Sequence, residues 1–520
     1  MIREIEIGIS PSRAGNDDQL RLSAARKLNV SITDISHINI LRKSIDARKR
    51  PVMFKIRMKV FIGEEPINKQ KSEFFYKDVS NSREVVIIGA GPAGLFAGLR
   101  LIELGIKPII LERGKTVSER KKDIALLNRN QQVDPDSNYC FGEGGAGTFS
   151  DGKLYTRSSK RGDIQRVLDI LIEHGAHPDI GIEAHPHIGS DRLPGIITRI
   201  RQTILDAGGW IEFHARVSGF IISNGRLQGV KTEGGDKFMS DAFILATGHS
   251  ARDIYALLKA RGVYMETKGF AMGVRVEHPQ ALIDIIQYHD PRGRGEFLPP
   301  AEYSISSQVN GRGVYSFCMC PGGIIVPSAT DDRELVVNGM SNSGRTSPWA
   351  NSGLVVEIRE KDLVKFKNHG PLAGLELQRE LEQMAFNNGG VGQVAPAQRL
   401  TDFTSGKISQ SLPENSYNPG LISSPMHFWM PPSISERLKH ALIAINRRMK
   451  GYLSKEAVMV GVESRTSSPV RIPRGFESFE HQGLNNLFPC GEGAGYAGGI
   501  VSSAIDGEKT AEAVLRKIAG

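Results

Sequence analysis

The chain opens on strict alternation. Ile5, Ile7 and Ile9 are apolar with charged or small residues between them, and residues 52–60 read VMFKIRMKV, apolar and basic at period two. Both stretches predict strands with one buried face. Between them, Asp17 or Asp18 is placed to cap a short helix that ends near Leu28. Residues 1–80 therefore predict a small β-α-β-β domain of the α+β class. The pattern then changes. Val85 to Ile88 is a continuous apolar run, as expected of a strand buried on both faces of a parallel sheet. Leu95, Leu99, Leu101 and Leu104 follow at roughly helical spacing, Gly105 ends that helix, and Pro108 to Leu111 form a second buried strand. Further on, a helix is predicted at 194–208 and a strand from Trp210 to His214. Val217–Ile222 and Leu227–Thr232 form a hairpin around Asn224-Gly225, and Asp241 to Gly248 return to the sheet. Residues 251–455 mix both signals, with long helices at 371–386 and 433–450. They read as an inserted α+β cap or substrate domain, and the chain comes back to the first sheet at 456.

The turn between the first buried strand and its helix reads Gly89-Ala90-Gly91-Pro92-Ala93-Gly94, which is G-x-G-x-x-G. The first glycine permits the tight turn and the second lets a pyrophosphate approach the backbone. The third lets helix and strand pack closely, while the helix N-terminus faces the phosphate charge. Glu112 ends the second strand, where an acid accepts hydrogen bonds from the adenosine ribose. The four parts together predict a Rossmann-like dinucleotide site; a Gly-rich turn in an ordinary α/β domain is the alternative.

Two later strings bear on which dinucleotide. Residues 487–500 read LFPCGEGAGYAGGI and lead into a helix rich in small residues. This resembles the second signature of the glutathione-reductase-like flavoproteins. There an acidic residue after a glycine binds the ribityl chain, and a helix N-terminus faces the pyrophosphate and flavin. The matching positions are Gly491–Glu492, with Glu for the commoner Asp, and Gly498, Gly499 and Ile500 at the helix entrance. FILATG at 243–248, carrying Ala246, Thr247 and Gly248, resembles the strand and turn that precede the cap in the same proteins. The resemblance also implies that the Val217 backbone touches the adenine. FAD rather than NAD is the expected cofactor, with NAD(P)H as a transient reductant.

The Gly-rich loop at 142–153 has a reading of its own. Gly142, Gly144, Gly145 and Gly147 leave backbone N–H groups free to point at an anion or carbonyl, Ser150 and Lys153 add donors, and Ala146 and Gly152 of the same loop are counted with the cofactor-binding residues. Such a loop suits the pyrophosphate or the N1/O2 edge of a flavin. Arg113 is expected near the same phosphates. Over its full length the chain resembles a widespread family of poorly characterised FAD-dependent dehydrogenases. The strings that carry the resemblance are SIDARK (44–49), GEGGAGTFSDGKL (142–154), PHIGSDRL (186–193), GVRVEHPQ (273–280), YSFCMCPGG (315–323), NGMSNSGR (338–345) and GVESRTSSPVRIPR (461–474). It implies a fold and a cofactor and no substrate.

Composition adds limits. A chain of 520 residues makes two or three domains. The longest apolar stretch is the nucleotide strand and helix, so no membrane span is expected. Four cysteines are too few for a disulfide framework, which points to a reducing, cytoplasmic setting. Residues 1–80 hold 16 Lys/Arg against 10 Asp/Glu, a net of +6 out of +9 for the whole chain. The Lys55/Arg57/Lys59 ladder is either a solvated face or a surface for an acidic partner such as RNA. No RNA-recognition aromatic signature accompanies it. Cys318-Met319-Cys320 is read as small residues in a core, with a thiol pair as the sharper alternative. His185, His187, His249 and His278 are candidates for titration near neutrality, and no metal site is expected.

There is no second G-x-G-x-x-G between a strand and a helix, so no separate nicotinamide domain of the disulfide-reductase type is expected. Reduction and reoxidation share one cleft under the cap. Arg465, Arg471 and Arg474 either hold a carboxylate or phosphate there or pin the returning loop. The sequence assigns no catalytic acid or base and no oligomeric state. It predicts an FAD-dependent oxidoreductase of a small organic substrate, with an RNA-linked flavoprotein as the alternative.

Overall fold

The computed structural model describes residues 1–65, 74–155 and 162–519. Part of the first predicted domain, residues 66–73, lies outside the described residues. A parallel five-stranded sheet carries the nucleotide motif. Its strands run in the order Leu487–Pro489, Phe243–Leu245, Glu84–Ile88, Lys107–Leu111 and Trp210–Glu212. Val85, Ile87, Ile110, Ile244 and Phe488 enter the core on one face. Val86, Ile88, Ile109, Leu111, Phe243 and Leu245 enter the core on the other. Burial on both faces is why these strands are continuously apolar rather than alternating. The hairpin Val217–Ser223 and Arg226–Thr232 turns at Asn224 and Gly225, both with positive φ, and Lys237–Met239 adds a third strand.

The second domain is a seven-stranded sheet, antiparallel except at one edge, where Ala395–Arg399 and Leu421–Ser423 run parallel. Its central strand is Phe270–Pro279. Met272, Val274 and Val276 pack in one core with Leu438, Leu442 and Ile445 of the helix Pro432–Arg448. The alternate residues Arg275 and Glu277 take the opposite face, fully or almost fully buried.

The boundaries read at 251 and 456 both move. The helix Arg252–Ala260 puts Ile254, Tyr255 and Leu258 into the core of the parallel sheet, so the first layer continues past 251. The strand Val458–Glu463 pairs with Phe270–Pro279, so the second sheet extends past 456. Apolar runs of this kind satisfy either sheet, and only partner strands choose between them.

Residues 1–62 form the expected β-α-β-β unit, with Met53–Ile62 central between Ile2–Ile9 and Ile35–Asp46. Register places Glu4 opposite Lys59 and Glu6 opposite Arg57. Arg57 is ion-paired to Glu4, and the Lys55 ammonium lies 3.8 Å from Glu6 and 3.5 Å from Asp46. Carboxylates of the same sheet thus face Lys55 and Arg57.

The last helix, Ile500–Ala519, crosses Pro92–Glu103 in backbone contact. A Cβ on Gly507 would stand 2.1 Å from the Ala93 carbonyl oxygen. Gly507→Ala is therefore expected to push the helices apart and cost about 1–3 kcal/mol, as overpacking does. Thermal denaturation of the variant against wild type measures it, and an unchanged midpoint would show that the crossing can relax.

Candidate functional site

Almost every residue singled out for dinucleotide binding lines a single cleft of about 430 Å³. That volume lies in the range of roughly 300–1,000 Å³ typical of cofactor pockets. Ala90, Gly94 and Gly144 do not line it. Ala90 is fully buried, giving its N–H to Glu112 and its carbonyl to the Gly144 N–H. A Cβ on Gly94 would meet the Gly89 carbonyl oxygen at 1.9 Å, so this glycine serves strand–helix packing.

Glu112 organises the nucleotide end. Its carboxylate accepts from Ala90 N at 2.9 Å, Gly114 N at 2.9 Å and Gly142 N at 3.0 Å. It borders the cleft while only 5 % exposed. One side chain thereby joins the G-x-G-x-x-G turn, the end of the second strand and the Gly-rich loop. Helix Pro92–Glu103 begins at Gly91 with proline in its first turn and no side-chain cap, so its first N–H groups face the cleft unoccupied by protein.

The structure redirects Arg113. It pairs with Asp136 at 2.8 Å and Asp253 at 3.0 Å and stacks on Phe141 at 4.2 Å. Two carboxylates already satisfy its charge, which leaves it a wall residue rather than a free phosphate clamp. Arg120, which sequence reading missed, is wholly buried behind the Gly-rich loop. It donates to the carbonyls of Asn138 and Glu143, both at 2.8 Å. A cation inside an amphipathic helix pattern gives no sign of this role.

Gly491, Glu492, Gly498, Gly499 and Ile500 share the cleft. The Gly491 N–H donates to Asp506 at 2.7 Å, and Arg474 pairs with Asp506 at 2.5 Å. Arg474 thus pins the returning loop. Arg465 does likewise, although it also lines the cleft: it meets Glu334 and Glu382, each at 3.0 Å. Arg252 from the other layer contacts the same two carboxylates at 2.9 and 2.8 Å, which ties the domains together. Arg471 is stacked 5.6 Å from the Tyr496 ring and does not border the cleft.

The histidines are not neutral-pH switches as a group. Burial pushes His249 down to about 3, with Arg465 and Arg252 adding to it, and His278 to about 4. His187 is also lowered by burial, and only His185 is raised, by its hydrogen bond to Glu302. Glu492 moves the other way. Burial lifts its carboxyl to about 7, against the nearby Lys268 ammonium and the Gly499 N–H. His249 lies 4.0 Å from it.

The second domain closes the cleft with Phe317, Cys318, Asn338, Arg465 and Thr466. Sequence reading did not assign Phe317, Asn338 or Thr466 to a site, since each lies far along the chain from the glycine motifs. Lys153 reaches across to this wall.

The donor set fits FAD: a close glycine cradle, two helix N-termini and two carboxyls lining one cleft. An FAD binding domain model matches residues 82–129, and a model described as FAD-dependent protein, C-terminal domain-like, matches 269–466. A domain of unknown function matches 1–61. The cofactor is FAD. An uncharacterized protein of Clostridium beijerinckii is 39% identical over 525 residues, covering 96% of this chain and 97% of that one. Among solved structures, a flavin-dependent brominase is 14% identical over 85% of this chain and 80% of its own, with a TM-score of 0.36. L-proline dehydrogenase from P. horikoshii is 12% identical over 84% and 94%, with a TM-score of 0.31. These structural similarities are too distant to inform the substrate.

Glu492 gives two expected outcomes. Glu492→Ala should weaken FAD binding at least about tenfold, since one charge-assisted hydrogen bond is worth about 1.5–3 kcal/mol and about 1.4 kcal/mol is one decade. Fluorescence titration of apoprotein measures it, and equal dissociation constants would remove Glu492 from the site. In the apoprotein, a carboxyl raised to about 7 holds its proton in the folded state where the unfolded chain has lost it. Its contribution to stability is full below the unfolded value and is lost as pH rises through about 7. Glu492→Gln should therefore gain in melting temperature over wild type as pH goes from 5 to 8; a pH-independent difference would contradict the shift.

Proposed function

We propose, from the premise that this chain belongs to the same FAD-dependent flavoprotein family as its Clostridium beijerinckii relative, that it is an FAD-dependent oxidoreductase of a small organic molecule. The reading rests on one observation: the glycine cradle and the wall of the second sheet face each other across a single cleft. The adenosine end falls to Glu112, Val217 and the turn Ala246–Gly248. The pyrophosphate falls to the N-terminus of Pro92–Glu103 and to Gly145 and Ala146, and the flavin end to Glu492 and the N-terminus of Ile500–Ala519. Bound there, FAD supplies two-electron redox chemistry.

The chain's own residues supply the rest. The second sheet covers the flavin end and restricts water, which strengthens every polar contact inside. Lys153 places a cation against that wall, where it favours negative charge arising on the substrate or the ring. Asn338 and Thr466 add polar groups to the same cleft. Glu492, neutral below about pH 7 and ionised above it, holds or releases a proton at the same end.

The purified protein is expected to carry, or take up, one equivalent of FAD. Anaerobic addition of NADH, NADPH and a panel of small amino and hydroxy acids should then bleach the flavin band with at least one of them. Failure to bind FAD would overturn the assignment at its root. A bound flavin that no donor reduces, in a protein that dithionite reduces readily, would leave a flavin-binding protein without this activity.

A further inference from the structure

The cleft wall at Phe317–Cys320 is irregular. The strand Arg312–Cys320 pairs Phe317 with Gly353 but Cys320 with Asn351, so one extra residue is inserted there. Cys318 sits in the bulge with φ of +46°, a conformation that non-glycine residues seldom adopt and that recurs at functional sites. Its side chain borders the cleft, whereas Cys320 is fully buried. The core reading of Cys318 fails on this point.

The Lys153 ammonium lies 3.7 Å from the Cys318 sulfur and 3.5 Å from that of Cys320. Arg275, wholly buried, donates to the Cys318 carbonyl at 2.5 Å and approaches the Cys320 sulfur at 3.5 Å. The Cys320 thiol has the Cys318 carbonyl as an acceptor at 3.3 Å, and both sulfurs lie against the same Lys153 ammonium. Acidic groups balance the cluster: Asp151 lies 3.4 Å from Lys153, Glu463 lies 2.8 Å from Arg275, and Glu492 is across the cleft. Burial holds the Glu463 carboxyl up at about 7, so near neutrality a negative charge on sulfur competes with one on Glu463 for Arg275.

We propose that Cys318 and Cys320 are a redox-active dithiol in the substrate compartment, with Cys318 the nucleophilic thiolate, Lys153 its counter-cation, and disulfide-bearing small molecules the class of substrate it takes. The neighbouring Cys320 thiol, together with Lys153 and Arg275, lowers the proton affinity of Cys318, and Cys320 keeps its proton in exchange. The Cys318 thiolate attacks one sulfur of R–S–S–R′, forming Cys318–S–S–R and releasing R′S⁻, which takes the Cys320 proton. The Cys320 thiolate then attacks the Cys318 sulfur, forming the Cys318–Cys320 disulfide and releasing RS⁻, which is protonated from solvent. Two electrons pass from the pair to the substrate. A two-electron reductant, a small dithiol or the reduced flavin, restores the pair. Thiol alkylation needs no flavin turnover, so the assignment stands or falls apart from the oxidoreductase reading.

The test is alkylation of the protein as isolated with iodoacetamide, followed by peptide mass spectrometry across pH. Cys318 is expected to label selectively, with a midpoint at least about one unit below the ordinary thiol value of about 8.5. Lys153→Met should raise that midpoint and slow labelling at pH 7 about tenfold, while Lys153→Arg stays within about threefold of wild type. Diamide should convert residues 318–320 to an internal disulfide that dithiothreitol reverses, and Cys320→Ser should abolish the link while leaving Cys318 reactive. A midpoint at or above about 8.5 in wild type would overturn the thiolate. Absence of the 318–320 link after diamide would overturn the dithiol, and both readings use wild type alone should Lys153→Met fail to fold.

Discussion

The site depends on one buried carboxylate. Glu112 takes N–H groups from three separate loops, those of Ala90, Gly114 and Gly142, and removing it would strand three buried donors at about 1–3 kcal/mol each. Beyond it, the Gly144 N–H donating to the Ala90 carbonyl at 2.8 Å ties the G-x-G-x-x-G turn to the Gly-rich loop, since glycines offer no side chains to interlock. Close backbone approach makes the cradle, and the approach needs an internal acceptor to hold it. The acid expected to face a ribose is thus a structural brace as well as a cleft wall.

A second buried charge plays the matching part in the other domain. Arg275 projects from the polar face of the central strand and meets Glu463 at 2.8 Å, Asn351 at 2.9 Å and Asn338 at 3.2 Å. Its strand alternates between an apolar core on one side and this polar network on the other. A guanidinium with several fixed partners orients the wall more rigidly than packing alone. The bulge at Cys318 is held by that same group through its carbonyl. Between the layers, the buried set of Arg252, Arg465, Glu334 and Glu382 fixes how the wall meets the cradle.

Much of this was legible beforehand. Continuous apolar runs marked the doubly buried strands, and period-two runs marked the half-exposed ones. The glycine spacing and terminal acid marked the nucleotide turn, because each of those positions answers to a local backbone requirement. Of the residues singled out for the cofactor within 142–153 and 487–500, all but Gly144 line the cleft: local spacing shows that a loop is glycine-rich but not which glycine faces inward.

What the chain alone determined, then, was the half-buried strands of the first unit and the strands, hairpin and glycine turn around the nucleotide motif, since these follow from contacts within a few dozen residues; the strands of the second sheet were not legible in it. Only the tertiary structure decided who meets whom. It assigned Val458–Glu463 to the second sheet, gave Arg113 two carboxylates and Arg474 the loop, and neutralised His249 by burial. It also brought Lys153 against Cys318 and Cys320 across more than 160 residues of chain. Charge pairing and proton affinity depend on what a side chain is buried beside, and a linear pattern carries no record of distant neighbours.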